Sequence, residues 1–325
     1  MYKVALIGAS GLLGRAVAQR LSQRNDWQVV QTAFAHAEAP QVVLDIRDEN
    51  AITRFVDEQA PDAIVIAAAE RRPDVCENDP ALARALNVEA VRAIAGAARR
   101  HGAWVLSIST DYVFDGTRPP YRHDAPAAPI NAYGRSKLEG ERALFDATNN
   151  GCVLRLPLLY GPIVSWQESA VTSLVPAIAA SASAAACPAV MDAWATRYPT
   201  FTPDVAIVIM QMLERHARGE PVCGITQWSG DEPMTKYDIA CRLAKALELD
   251  AQSMPPQSMP PQSMPPQLTP PQLTPQYAPA DATPRPRDCH LDSSVLEALG
   301  IGRRTPFDVA IRQVLADFPW RGAAA

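Results

Sequence analysis

The chain has 325 residues, 48% of them apolar and 20% charged, with a formal net charge of −5. That length holds one large α/β domain, or a main domain with a smaller lobe. The basic residues are scattered, and the one dense basic stretch, Arg99-Arg100-His101, closes a helical pattern where cations suit the helix dipole; neither nucleic acid nor an anionic membrane surface is an expected partner.

Val4-Ala5-Leu6-Ile7 reads as a strand, too short for a signal-peptide core or a membrane span, so a cytoplasmic protein is expected. Leu12–Gln23 has a helical pattern, Gln28–Thr32 is a second strand and Gln41–Leu44 a short third. Ile52–Gln59 is helical, Ala63–Ala69 a continuous apolar strand, Pro80–His101 a long helix and Trp104–Ser109 a strand. Tyr133–Ala147 is helical and Cys152–Leu156 extended. Short apolar runs separated by helices imply a parallel sheet covered on both faces, a doubly wound α/β fold over residues 1–160.

After Tyr160 the rhythm loosens. Pro203–Arg215 looks helical, Thr226–Ser229 strand-like and Thr235–Leu247 helical. The chain is expected to return to the first domain around 200–225, while 161–199 and 226–325 build a smaller C-terminal α/β substrate lobe. Of 30 prolines, 12 fall between Ser253 and Arg287. Ser-Met-Pro-Pro-Gln repeats three times from Ser253 to Gln267, followed by Leu-Thr-Pro-Pro-Gln and Leu-Thr-Pro-Gln. A period of five is too short for a solenoid, and such residues suit neither helix nor central strand, so 253–286 reads as a low-complexity surface insertion. Ser293–Leu299 and Phe307–Leu315 look like closing helices. The six cysteines (Cys76, Cys152, Cys187, Cys223, Cys241, Cys289) show no C-x-x-C and no His at ligand spacing, so free thiols and no metal site are expected.

Gly8-Ala9-Ser10-Gly11-Leu12-Leu13-Gly14 follows the first strand and opens the first helix. Gly8 permits the tight turn, Gly11 lets backbone N–H groups approach a pyrophosphate, and Gly14 lets helix and strand pack closely. This is the setting of a Rossmann-type dinucleotide site, in the G-x-x-G-x-x-G spacing of the short-chain dehydrogenase/reductase superfamily, which it resembles. Asp45-Ile46, at the end of the third strand, is placed to meet adenine. Ala67-Ala68-Ala69 leaves room for the dinucleotide. No acid ends the second strand before Glu38, and Arg15 follows the last glycine, so NADP(H) is favoured, with Arg15 on its 2′-phosphate and NAD(H) as the alternative.

Tyr133 and Lys137 stand four residues apart on one helical face. A reductase must deliver a proton to a carbonyl oxygen, and a lysine cation is expected to lower the phenol's pKa for that task. Thr110, at the end of the fifth strand, is placed to hydrogen-bond the same oxygen. Asn87, on the preceding long helix, is a candidate for relaying the proton through water and for the cofactor site.

Ser109-Thr110-Asp111-Tyr112-Val113-Phe114-Asp115-Gly116, Asn131 to Glu141 and Pro199-Thr200-Phe201-Thr202-Pro203-Asp204 together resemble the dTDP-4-dehydrorhamnose reductase branch of the extended short-chain reductases. The resemblance implies Thr110, Tyr133 and Lys137 as a triad. Within that branch Ala69-Glu70-Arg71-Arg72-Pro73-Asp74-Val75, Gln227-Trp228-Ser229-Gly230, Met234-Thr235-Lys236-Tyr237 and Leu299 to Phe307 are similar to the regulatory beta subunit of methionine adenosyltransferase. That likeness implies NADP binding and a catalytic partner. Leu158 stands where the rhamnose-forming enzymes often carry Trp, and Ala16 where some place an acid used for magnesium. The regulatory subunit has arginines where this chain has Ala35 and His36, and its partner-binding tail is not matched by Trp320 to Ala325.

Glu70, Arg71, Arg72 and Arg197 are candidate substrate-facing groups, since arginine suits the phosphates of a nucleotide-sugar; a solvated ion-pair cluster is the equal alternative. The expected function is NAD(P)H-dependent reduction of a 4-keto nucleotide-sugar of the dTDP-4-dehydrorhamnose type. The rival is an NADP-binding beta subunit of methionine adenosyltransferase, and a third reading is a redox-sensing scaffold whose proline insertion recruits a partner. By fold analogy, helices Pro80–His101 and Tyr133–Ala147 form a homodimer seam.

Overall fold

The computed structural model describes residues 1–35, 37–182, 187–247, 249, 271–279 and 282–318. In chain order, β1 (Tyr2–Ile7) leads to α1 (Leu12–Leu21), β2 (Trp27–Ala33), β3 (Val42–Val43), α2 (Glu49–Gln59) and β4 (Ala63–Ile66). Next come α3 (Pro73–Asn78), α4 (Pro80–Arg84), a π-helical turn over Ala85–Glu89, α5 (Ala90–Arg100) and β5 (Trp104–Thr110). Then follow α6 (Ala132–Ala147), β6 (Gly151–Leu156), β7 (Leu159–Tyr160), α7 (Val175–Ala180), β8 (Ala189–Asp192) and β9 (Thr200–Phe201). The chain closes with α8 (Thr202–Ala217), β10 (Gly224–Gln227), α9 (Lys236–Ala246), β11 (Leu273–Gln276), α10 (Ser294–Ala298) and α11 (Phe307–Asp317).

Among the described residues, seven parallel strands form one sheet in the order β3-β2-β1-β4-β5-β6-β10. Alternation along β1 assigns its side chains to two cores. Val4 and Leu6 pack with Val17 and Leu21 of α1 and with Val205, Ile209 and Met212 of α8. Ala5 and Ile7 face the other way, against Ile52 and Val56 of α2 and Val91 and Ile94 of α5. Burial on both faces explains the unbroken apolar runs, each large side chain contributing roughly 1.5–3 kcal/mol. This is the Rossmann-type doubly wound sheet expected from the sequence.

The later segments divide as their contacts dictate. Helix α8 lies on α1 and β10 extends the main sheet, so the return to the first domain runs through Gln227, which pairs with Arg155. The indole of Trp104 pins this return by donating to the Val222 carbonyl at 3.0 Å. A separate core, built from Val171, Val175, Ile178, Ile239, Leu243, Phe307, Ile311 and Val314, holds the smaller lobe together.

Three local expectations change. The strand expected over Ala63–Ala69 ends at Ile66, and the Ala67 N–H makes one last bond to the Ile7 carbonyl of β1 at 2.9 Å. The long helix expected over Pro80–His101 is interrupted by the π-helical turn at Ala85–Glu89, a form of helix frequent at functional sites. The expected insertion is not one unit either. Its last repeat, Leu273-Thr274-Pro275-Gln276, forms β11 and pairs in parallel with Ala189–Asp192 of β8. Pro275 is tolerated because a two-stranded sheet has only edges, where a missing N–H need not break a ladder. Just beyond, the Arg287 carbonyl accepts from the Thr196 N–H at 2.8 Å, so this stretch is built into the lobe. Residues 251–270, which carry the other repeats, lie outside the described residues. All six cysteines are unpaired. No helix among the described residues is long and apolar enough to cross a membrane.

Candidate active site

A cavity of about 750 Å³ opens at the carboxyl ends of the parallel strands, where loops diverge between the sheet and the smaller lobe. Gly8, Ser10, Gly11, Leu12 and Leu13 form its floor. Gly8 has φ +90°, and a Cβ there would meet the Ala68 backbone at 2.7 Å. A Cβ on Gly14 would lie 2.0 Å from the Gly8 carbonyl oxygen, so Gly14 works by close packing beneath the floor. Helix α1 starts without a side-chain cap, leaving first-turn N–H groups available to an anion. This cradle fits a dinucleotide pyrophosphate. Asp45, Ile46, Ala67, Ala68 and Ala69 continue the wall.

Thr110, Tyr133 and Lys137 meet at the far end of the same cavity. Helix α6 presents the tyrosine and lysine because its cap is well made: Asn131 Oδ1 accepts from the Gly134 N–H at 2.8 Å. Lys137 is 5% exposed and its Nζ donates to the Ile108 carbonyl at 2.7 Å. Burial pulls the ammonium down to about 8, with the Glu141 carboxylate, one turn along the helix, opposing the shift. The phenol departs from expectation: burial pushes Tyr133 upward, and the nearby Thr110 hydroxyl offsets this only in part. The neighbouring Asp111, Tyr112 and Cys76 add to the rise. Desolvation outweighs any help from the lysine, so Tyr133 is a neutral acid holding its proton, the state from which a carbonyl reduction begins.

Behind Lys137 lies a buried ion pair. Arg155 donates to Glu141 through Nε at 2.9 Å and Nη2 at 2.7 Å, and the Ser109 hydroxyl adds a third bond at 2.5 Å. This pair ties β5, α6 and β6 together beside Lys137.

Besides Gly14, two expected cofactor residues do not line the cavity. Arg15 is held by Glu168 through Nη1 at 2.8 Å and Nη2 at 2.7 Å, and also donates to the Ser10 carbonyl at 2.7 Å. Its guanidinium braces the glycine turn against the smaller lobe. Asn87 is fully buried; its Oδ1 accepts from the Glu70 N–H at 2.9 Å, while Nδ2 donates to the Glu70 carbonyl at 2.9 Å and to Ser136 Oγ at 3.0 Å. With its amide so engaged, Asn87 fixes the loop after β4.

The expected substrate group also divides. Arg71, Arg72 and Arg197 line the cavity. Glu70 is 6% exposed and accepts from Arg72 Nη2 at 2.7 Å and Nε at 2.9 Å, so it positions that arginine. Burial raises Glu70, but the Arg72 bonds prevail and hold its carboxyl below the usual range. Arg197 is 4% exposed, donates to the Pro286 carbonyl at 2.8 Å and sits 5.8 Å from the Tyr112 ring centroid.

Sequence reasoning passed over several wall residues. Asp111, Tyr112 and Lys236 lie inside motifs already quoted for the resemblance, which was the signal available. Arg47 and Arg285 carried no signal. Arg47 packs over the Phe34 ring at 5.1 Å and chelates Asp45 through Nη2 at 2.6 Å and Nε at 2.9 Å. It lines the cavity beside Asp45 and Ile46, the part expected to meet adenine. Among the described residues no cluster of His, Cys, Asp or Glu is arranged to hold a metal ion.

A doubly wound parallel sheet, a glycine turn under its first helix and a Tyr/Lys pair at the strand ends define an extended short-chain dehydrogenase/reductase. The chain belongs to the RmlD substrate binding domain family, which it matches over residues 2–319. It is 40% identical over 323 residues to methionine adenosyltransferase 2 subunit beta of Xenopus tropicalis, covering 98% of this chain and 90% of that protein. A probable dTDP-4,6-dihydroxy-2-methyloxan-3-one 4-ketoreductase of Streptomyces antibioticus is 34% identical over 255 residues, covering 77% of this chain and 79% of that one. Among solved structures, the fold is similar to dTDP-4-dehydrorhamnose reductase from Bacillus anthracis in complex with NADP. The TM-score is 0.78 at 21% identity, covering 98% of this chain and 100% of that one.

Proposed function

We propose that the protein is an NADP(H)-dependent reductase of a 4-keto nucleotide-sugar. The observation that carries this reading is the convergence of Thr110, Tyr133 and Lys137 in the cavity whose other end is the glycine cradle. A bound reduced nicotinamide dinucleotide supplies the hydride. Tyr133 holds a proton and gives it to the carbonyl oxygen as negative charge develops there. Thr110 orients that oxygen, and Lys137 binds the cofactor's ribose end with its ammonium. Gly8, Ser10, Gly11, Leu12, Leu13, Asp45, Ile46 and the alanines 67–69 form the dinucleotide wall, with Arg47 the cation on its adenosine side. Arg71, Arg72 and Arg197 receive the substrate's phosphates. NADP in the Bacillus anthracis structure supports the cofactor assignment, and the Streptomyces ketoreductase supports the substrate class.

A second reading rests on the 40% identity to methionine adenosyltransferase 2 subunit beta across nearly the whole chain. In it the same dinucleotide site serves an assembly with that synthetase. A homodimer seam on the outer faces of α5 and α6, which lie side by side, is compatible with either reading. NADPH oxidation against a panel of keto-sugar nucleotides, run with and without the synthetase, separates them. The first reading expects substrate-dependent oxidation by the protein alone. No oxidation, together with co-elution with the synthetase and altered synthetase kinetics, contradicts it in favour of the second.

A further inference from the structure

Arg72 and Tyr133 both line the cavity, and a run of hydrogen bonds through Glu70, Asn87 and Ser136 joins them behind its wall. Arg72 donates to the Glu70 carboxylate through Nε at 2.9 Å and Nη2 at 2.7 Å, and its backbone N–H adds a third bond at 2.9 Å. The backbone of Glu70 is held on both sides by the Asn87 amide, which also donates to Ser136 Oγ at 3.0 Å. Ser136 in turn donates to the Tyr133 carbonyl at 2.8 Å. Glu70, Asn87 and Ser136 are buried, whereas the Arg72 guanidinium is open to solvent.

The partners fix the direction of each bond. Ser136 has one hydroxyl proton; donating it to Tyr133 leaves a lone pair to accept from Asn87. Turning the Asn87 amide over would set its oxygen against the Glu70 carbonyl and its NH2 against the Glu70 N–H, so only one orientation satisfies both groups. Close packing stiffens the run. A Cβ on Gly140 would lie 2.1 Å from the Asn87 carbonyl oxygen, and one on Gly134 would lie 2.1 Å from that of Tyr112. Helix α6 therefore rests directly on the π-helical turn and on the residues that follow β5.

We propose that Asn87 and Ser136 are positioning residues that couple the phosphate-binding Arg72 to the proton donor Tyr133. This rests on the reductase reading above. With the substrate's diphosphate seated on Arg72, the loop after β4 is fixed against the π-helical turn. Through Ser136 the first turn of α6 is then set so that the phenol meets the keto oxygen. Binding energy gathered at the phosphates, remote from the reacting carbon, is thereby used to place the acid. Neither Asn87 nor Ser136 lines the cavity, so both act through Tyr133 and not on the substrate.

The test is a double-mutant cycle of Ser136→Ala and Arg72→Ala, read as the single-turnover rate of NADPH oxidation at saturating keto-sugar nucleotide. Ser136→Ala is expected to lower that rate about tenfold, with half-saturation by substrate and NADPH affinity within about twofold, because a misplaced acid is felt only in the transition state. Ser136→Thr keeps the hydroxyl and should restore the rate to within about threefold of the unmodified protein. In the Arg72→Ala background, where no phosphate holds this end of the run, Ser136→Ala should cost less than about threefold. An unchanged rate in Ser136→Ala, a change in half-saturation alone, or no rescue by Ser136→Thr overturns the coupling. So does the same tenfold loss with and without Arg72, which leaves Ser136 a local support of α6. Each of these results strikes the coupling alone. Absence of turnover by the unmodified protein across the panel overturns the reductase reading and the coupling with it.

Discussion

Asn87 binds both backbone polar groups of Glu70: its Oδ1 accepts from the Glu70 N–H and its Nδ2 donates to the Glu70 carbonyl, each at 2.9 Å. A side chain at the π-helical turn thus acts as a strand edge for the loop after β4, just where the chain leaves the sheet to line the cavity. Replacing it with alanine leaves a buried N–H and carbonyl unpaired, at a cost of about 1–3 kcal/mol. Asn87→Ala should lower the urea midpoint accordingly, while Asn87→Asp should recover only the half of the interaction that accepts. Equal stability of Asn87→Ala and the unmodified protein would show that the loop does not depend on this contact.

The two arginines of the cofactor end separate cleanly. Arg47 lines the cavity beside Asp45, whereas Arg15 is held by Glu168. Arg47→Ala is expected to weaken NADPH about tenfold and NADH little, the size of one charge-assisted hydrogen bond to phosphate. Arg15→Ala, which loosens the glycine turn, should weaken both cofactors alike. Fluorescence titration of each variant with both dinucleotides measures this. Selective loss of NADPH affinity in Arg15→Ala would reverse the assignment.

Glu141 and Arg155 are 4% and 2% exposed, so neither charge has a ready alternative partner in water. Removing one member strands the other, a loss of about 3–5 kcal/mol. Glu141→Gln should therefore unfold at markedly lower urea than Glu139→Gln on the same helix, whose carboxylate is exposed. Removing the carboxylate also takes away an opposing charge from Lys137, so the ammonium should titrate lower still. Competitive acetylation of Lys137 against pH, followed by mass spectrometry, reads that shift; an unmoved lysine would contradict the coupling.

Much of this was legible in the chain. The alternation of short apolar runs and helical patterns showed a doubly wound sheet, because strands buried on both faces leave no other signature. The glycine turn and the Tyr133–Lys137 spacing were readable because both are local: one is backbone geometry, the other a single helical turn. What escaped was non-local. Whether Arg15 meets a phosphate or Glu168 depends on a residue 153 positions away. Asn87 reads as an ordinary helical residue until the loop 17 residues earlier is folded against it. The phenol's raised pKa follows from how deeply the cavity is enclosed, which no spacing reveals. The last proline repeat became an edge strand because β8 offered it a ladder.

The central claim is that Tyr133 supplies the proton in a reduction carried out at this cavity, and Tyr133→Phe tests it most directly. NADPH oxidation with an accepted keto-sugar nucleotide is measured beside NADPH binding. The account predicts a kcat at least about 100-fold lower, the scale of a general acid, with NADPH affinity within about twofold. A phenylalanine variant that turns over at the rate of the unmodified protein would contradict it.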